Sequence, residues 1–189
     1  MIELINLKKC YDNNTIIDID YFKFEANKKY LLIGENGSGK STLLKLIIGA
    51  IFPTTGSVNV DFKRIGFVPE KVVLPEFINL DIFLKLINCN YDNKYISLFS
   101  LNKYKKFYKY SKGMKQKAVI IQALINDFDI IIFDEPMNGL DKISKIKFLN
   151  LLEELKKTII VATHYPDEFK HLSFNKIRLI DGMLYDQTD

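Results

Sequence analysis

Apolar and polar positions alternate along residues 2–7 and again along 15–24, as in Ile17, Ile19, Tyr21 and Phe22-Phe24. A period of two predicts strands, here an antiparallel pair joined through Asp12-Asn13-Asn14 with Tyr11 at the turn. Tyr30-Leu31-Leu32-Ile33 is a continuous apolar run, and it leads through a glycine-rich stretch into a helical pattern from Leu43 to about Ile51. Pro53-Thr54-Thr55-Gly56 breaks that helix. Val58, Val60, Ile65, Phe67 and Val68 predict two more short strands, ending at Pro69.

Residues 70 to about 112 change character. Proline and asparagine punctuate short amphipathic pieces, Leu80 to Cys89 and Tyr91 to Leu101, which predict a small helical insertion. From Ser111 onward Met114, Ala118, Ile121 and Ile125 recur on one helix face. Asp129 to Pro136 reads as a buried strand ending in two carboxylates, and Ile143, Ile146, Leu149, Leu152 and Leu155 mark the next helix. Thr158 to Ala162 is another strand, ending at Thr163-His164; Lys176–Ile180 and Met183–Tyr185 predict a closing hairpin. Strands alternating with helices imply an α/β fold with a mixed, mainly parallel sheet and helices on both faces. An N-terminal antiparallel β subdomain and the helical subdomain complete a single domain over 1–189.

Composition narrows the function only a little. The net charge of +4, from 27 basic and 23 acidic residues, is too balanced to indicate nucleic-acid binding. Tyr104 to Tyr110 is aromatic and basic, yet an amphipathic connector with solvated lysines explains it. Arg64 and Arg178 are the only arginines, which argues against a phosphotransferase with several arginine clamps. Cys10 and Cys89 have no metal or redox spacing and are expected as buried thiols in a reducing cytoplasm. No apolar run is long enough to span a membrane, and Met1-Ile2-Glu3-Leu4 starts no signal peptide.

The chemistry centres on Gly34-Glu35-Asn36-Gly37-Ser38-Gly39-Lys40-Ser41-Thr42. Its strand and helix flanks make G-x-x-x-x-G-K-[ST] a phosphate loop (P-loop) rather than a chance match. Glycines let successive N–H groups turn inward on an anion, and the following helix adds its positive end. Lys40 is then expected to reach the β- and γ-phosphates, and the Ser41 hydroxyl to ligate Mg²⁺. Asp134, at the carboxyl end of its strand, would hold the metal's shell. Glu135 would point to the other side and polarise the attacking water as general base.

Taken in order, these motifs resemble the ATP-binding subunit of an ATP-binding-cassette (ABC) transporter over nearly the whole chain. Gly34 to Thr42 is similar to its Walker A motif and Ile130 to Glu135 to its Walker B motif. Ser111-Lys112-Gly113-Met114-Lys115-Gln116 resembles the L-S-G-G-Q signature, Asn138-Gly139-Leu140-Asp141 the D-loop, and His164 the switch histidine. Tyr11 falls where the family stacks an aromatic on adenine. Gly66 to Glu70 resembles the Q-loop, with Glu70 in place of glutamine and able to meet Mg²⁺ or its water. A glutamate there resembles subfamilies that export, or give immunity to, antibiotic-like peptides. Lys112 replaces a signature glycine near the expected dimer contact.

The resemblance implies two ATP molecules sandwiched in a homodimer or heterodimer, with the partner's Ser111 and Gly113 facing each γ-phosphate. It implies ATP and Mg²⁺ as cofactors, Glu135, His164 and Lys40 as catalytic, and an integral membrane permease as partner, without nucleic acid. The subunit would lie in the cytoplasm, held to the inner face of the membrane through that permease. Two other readings stand beside it. One is a soluble cassette ATPase acting on ribosomes or nucleic acid, for which the chain is short. The other is a small P-loop kinase or GTPase, whose N-K-x-D motif is missing at Asn102-Lys103-Tyr104-Lys105.

Overall fold

The computed structural model describes residues 1–187. β1 (Ile2–Tyr11) and β2 (Asn14–Phe24) pair antiparallel, with Tyr11 opposite Asn14 across the turn. Asp12 takes a φ of 52° there, a left-handed turn conformation that Asp tolerates because its short side chain bonds locally. The strand before the phosphate loop is β3 (Lys29–Ile33), and β4 (Thr55–Val60) joins the free edge of β1 to make a three-stranded sheet.

The second sheet is ordered β5-β6-β7-β3-β8-β9, from β5 (Ile65–Val68), β6 (Ile130–Asp134), β7 (Thr158–Thr163), β8 (Asn175–Ile180) and β9 (Met183–Asp186). All its neighbours run parallel except β8 and β9, the closing hairpin. Every residue of β6 and β7 is buried, because the two faces of the sheet are both covered. Leu32, Ile130, Ile132 and Ile160 face α1 (Lys40–Ile47) and the antiparallel sheet. Leu31, Ile131, Phe133 and Ile159 face the core of α4 (Lys112–Ile125) and α5 (Lys142–Glu154).

Residues 70–112 carry α2 (Leu80–Ile87) and the short α3 (Lys94–Leu98). Asn79 caps α2 by accepting from the Ile82 N–H at 2.9 Å. The segment is helical, as its punctuation predicts, but it has no core of its own. Leu80, Leu84, Ile96, Phe99 and Phe107 pack into the same cluster as Phe133 and Phe148.

Two sequence expectations change, the end of the first helix and the burial of the thiols, and the buried face of α5 is settled by packing. The helix after the phosphate loop ends at Ile47, before Pro53, because Gly49 N–H and Ala50 N–H turn back to the Leu46 and Lys45 carbonyls. On α5 the buried residues are Ser144, Phe148, Leu151 and Leu152, while Ile143 and Ile146 are exposed. A strict three-residue spacing falls about 60° short of a full turn at each step, so those five apolar residues cannot share a face. The thiols are not buried: Cys10 is half-buried with Sγ 3.4 Å from Thr15 Oγ1, and Cys89 is exposed.

Candidate functional site

The site follows from strand order. β7 lies between β3 and β6, so Thr163-His164 leaves the sheet between the phosphate loop and Asp134-Glu135. β5, on the other side of β6, brings Glu70 to the same edge. Four segments far apart in sequence thus meet at the carboxyl ends of parallel strands, where such sheets hold ligands.

Gly39 opens α1 with a φ of 100° and supplies no side-chain cap, and no acidic residue lies in the first turn. The helix's first N–H groups and its positive end are left for an anion. A side chain at position 39 would also press on Ile16, whose carbonyl oxygen lies 3.1 Å from a built Cβ. Lys40 is buried and arches over the loop, donating to the Gly34 and Glu35 carbonyls at 2.8 and 3.0 Å. Its ammonium stands 3.7 Å from Glu135 Oε1. A cavity of about 310 Å³ lies over this loop, bordered by Gly37, Lys40, Ser41, Thr42, Glu70, Asp134 and Glu135. Tyr11 and Asn36 border it as well, and Tyr11 is 46% exposed, leaving ring surface open. Gly34 and Ser38 line a neighbouring cavity of about 790 Å³ that also touches His164.

Asp134 and Glu135 face the same cavity, contrary to the alternation expected of a strand. The reason is backbone: Glu135 has a φ of 48°, so the chain leaves strand geometry there and swings its side chain back. Burial pushes the Asp134 carboxyl up, and the Glu70 and Glu135 carboxylates add to that; the Ser41 hydroxyl and Lys40 act in the opposite direction. Asp134 Oδ1 is buried with no hydrogen-bond partner. An orphaned oxygen beside a hydroxyl, within a cluster of like charge, suits a hard cation that keeps water and phosphate oxygens as its other ligands. Among the described residues no three His, Cys, Asp or Glu side chains form a complete metal cage.

The Glu135 carboxylate is held at three points. His164 Nδ1 lies 2.7 Å from Oε1, Thr163 Oγ1 donates to Oε2 at 3.3 Å, and Lys40 approaches Oε1. An ionised carboxylate only accepts, so the proton of this bond is on Nδ1 and Nε2 is left for another partner. Donation from Nε2 to a phosphate oxygen therefore requires the doubly protonated ring. Thr163 is the residue that sequence reasoning missed. The sequence marks it only as a strand end, and its role is visible only once β7 lies beside β6.

Ser111 and Gly113 border no part of this cavity. Ser111 is exposed and caps α4, its Oγ accepting from the Met114 N–H at 3.2 Å, which leaves its own O–H free to donate. Gly113 lies against the D-loop segment. Lys117 and Asp141 tie the two together at 2.6 Å. Asp141 also caps α5 through the Ser144 N–H and hydroxyl, both at 2.9 Å. Lys117 first, then Ser144, holds its carboxyl well below the usual range.

A family profile described as "ABC transporter" matches residues 18–138. An ABC transporter ATP-binding protein of Bacillus subtilis is 34% identical, covering 97% of this chain and 94% of its own. The zinc import ATP-binding protein ZnuC of Rickettsia prowazekii is 36% identical over 87% of this chain and 76% of its own. The lantibiotic transport ATP-binding protein SrtF of Streptococcus pyogenes is 31% identical over 92% and 84%. Among solved structures, the dimeric post-hydrolysis state of the ATP-binding cassette MJ0796 with ADP and Pi has the same fold. It superimposes with a TM-score of 0.85 at 23% identity over all of both chains.

Proposed function

The chain belongs to the ABC transporter family as an ATP-binding subunit that hydrolyses ATP to power a separate permease, and from that premise we propose how its residues do so. The N–H groups of Gly34 to Thr42, with Lys40 and the Ser41 hydroxyl, bind the triphosphate. Lys40 exchanges its present carbonyl partners for β- and γ-phosphate oxygens. Ser41, Asp134 and Glu70 would hold Mg²⁺, which would supply positive charge to the phosphate oxygens. Tyr11 stacks on the adenine.

Glu135 accepts a proton from the attacking water as its oxygen bonds to the γ-phosphorus and the bond to the ADP oxygen breaks. Thr163 and His164 keep the carboxylate in line. The observation that carries this reading is the Glu135 carboxylate, buried and fixed between His164 and Lys40, beside the orphaned Asp134 Oδ1. Among the described residues, Ser111 and Gly113 stand outside the phosphate cavity of their own chain. A second ATPase subunit, identical or related, supplies its Ser111 hydroxyl and Gly113 N–H, and two ATP molecules lie between the two chains.

Residues 70 to about 112 form the arm of a single ATPase domain that meets the permease, and Phe77, Ile82 and Leu86 are exposed on it. No helix among the described residues is long and apolar enough to cross a membrane. In this reading the subunit is held on the cytoplasmic face of the membrane through the permease. Cargo choice belongs to that partner, since relatives named for zinc import and for lantibiotic transport match this chain at similar identity. The test is ATPase rate per subunit against protein concentration. A rise as chains associate is expected; a constant rate in strictly monomeric protein overturns the two-chain site.

A further inference from the structure

The end of β1 carries a bulge between Lys9 and Cys10, a device that re-aims side chains at a sheet's rim. There Lys9 Nζ stands 5.0 Å from the centre of the Tyr11 ring, within the range of cation–π attraction. The ammonium is also tethered, donating to the Phe52 carbonyl at 2.8 Å. The segment that supplies this carbonyl is strapped to β1. Thr54 N–H donates to the Lys8 carbonyl at 2.8 Å, and Cys10 N–H to Thr54 Oγ1 at 2.9 Å. Tyr11 borders the phosphate cavity and Lys9 does not.

We infer that Lys9 is a positioning residue for the nucleotide base: it holds one face of the Tyr11 ring and leaves the other for adenine. The inference rests on the reading of Tyr11 as the base platform. An exposed tyrosine free to turn must lose that freedom when a base stacks on it, which weakens binding. A ring already held by a fixed cation has lost most of it. The ligand class is a planar, uncharged base attached to phosphates that the loop from Gly34 to Thr42 holds independently.

The experiment compares ADP with inorganic pyrophosphate, neither of which is turned over, by titration calorimetry on the whole chain. Lys9→Gln keeps a donor for the Phe52 carbonyl and removes the charge. It is expected to weaken ADP about two- to fivefold, the scale of one exposed cation–π contact, and to leave pyrophosphate unchanged. Lys9→Arg, which also sits over aromatic faces, should restore ADP affinity. An equal loss for both ligands would make Lys9 a simple attractor of phosphate and overturn the proposal, as would no loss for either. A Lys9→Gln effect that persists on ADP in a Tyr11→Ala background also overturns it. If Tyr11→Ala weakens ADP while Lys9→Gln does not, only the Lys9 role fails. If Tyr11→Ala leaves ADP affinity unchanged, the base platform itself is wrong.

Discussion

Gly113 lies against Gly139 so closely that a Cβ on Gly113 would stand 2.2 Å from the Gly139 carbonyl oxygen. The start of α4 and the loop after Glu135 are therefore one packed unit, reinforced by the Lys117–Asp141 pair. Ser111, which serves the partner's ATP in the proposed dimer, is thereby linked to the Glu135 that serves its own. Gly113→Ala forces two backbones apart and should cost about 1–3 kcal/mol of stability, as overpacking does. Maximal ATPase rate should fall while ADP affinity stays, since the phosphate loop is untouched. Thermal unfolding, turnover and ADP titration separate these effects, and unchanged turnover would remove the link from the mechanism.

Glu135→Gln keeps the shape of the carboxylate and removes its basicity. Hydrolysis should fall at least about a hundredfold, the usual scale of a lost general base, with ATP binding retained. With ATP and Mg²⁺ the variant should elute as a dimer in size-exclusion chromatography. Turnover equal to the parent's would take Glu135 out of its role.

Thr163→Val replaces a buried hydroxyl by a methyl group of similar size, frees Glu135 Oε2 from its 3.3 Å bond and takes the acceptor from the Tyr165 N–H, which lies 3.0 Å from Thr163 Oγ1. Loss of the bond to Glu135 is worth about 1–2 kcal/mol, or roughly tenfold, and should appear in kcat with KM for ATP unchanged, while loss of the Tyr165 N–H bond should appear in thermal stability. A change confined to KM would mean that Thr163 serves binding and not the alignment of Glu135.

Chelation of Mg²⁺ should abolish hydrolysis and added Mg²⁺ should restore it. In Asp134→Asn the restoring titration should shift to higher concentration by more than the roughly tenfold typical of losing an outer partner of a metal site. An unshifted Mg²⁺ titration would show that Asp134 is no ligand.

Asp81 is buried on α2, where Tyr91, then Lys85, then Lys103 hold its carboxyl at about 2 against an ordinary 3.8. The native state thus binds fewer protons than the unfolded state over that interval. The stability Asp81 contributes is complete above about pH 4 and is lost as pH falls toward 2. Urea midpoints should drop across that window, and Asp81→Asn should lower the neutral-pH midpoint while flattening the acid limb. A variant whose midpoint falls as steeply as the parent's between pH 4 and 2 would contradict this.

Local signals in the sequence determined much of this protein. The phosphate loop is legible because its glycines, Lys40 and Ser41 are contiguous and their chemistry is carried by backbone and neighbouring side chains. The Ser111 cap and the burial of β6 are legible for the same reason: a cap acts within one turn, and a run of apolar residues needs no partner to be recognised. Tertiary structure decided what depends on strand order and backbone exceptions. Only the insertion of β7 between β3 and β6 turned Thr163 and His164 into partners of Glu135. Only a left-handed φ at Glu135, which no residue pattern announces, put both carboxylates on one cavity. The helix of α5 is legible in its apolar residues, but packing decided that Phe148 and Leu152 are buried while Ile143 and Ile146 are exposed. Packing likewise brings Lys9 to the Phe52 carbonyl, Gly113 to Gly139 and Asp141 to Lys117, each tens of positions away in sequence.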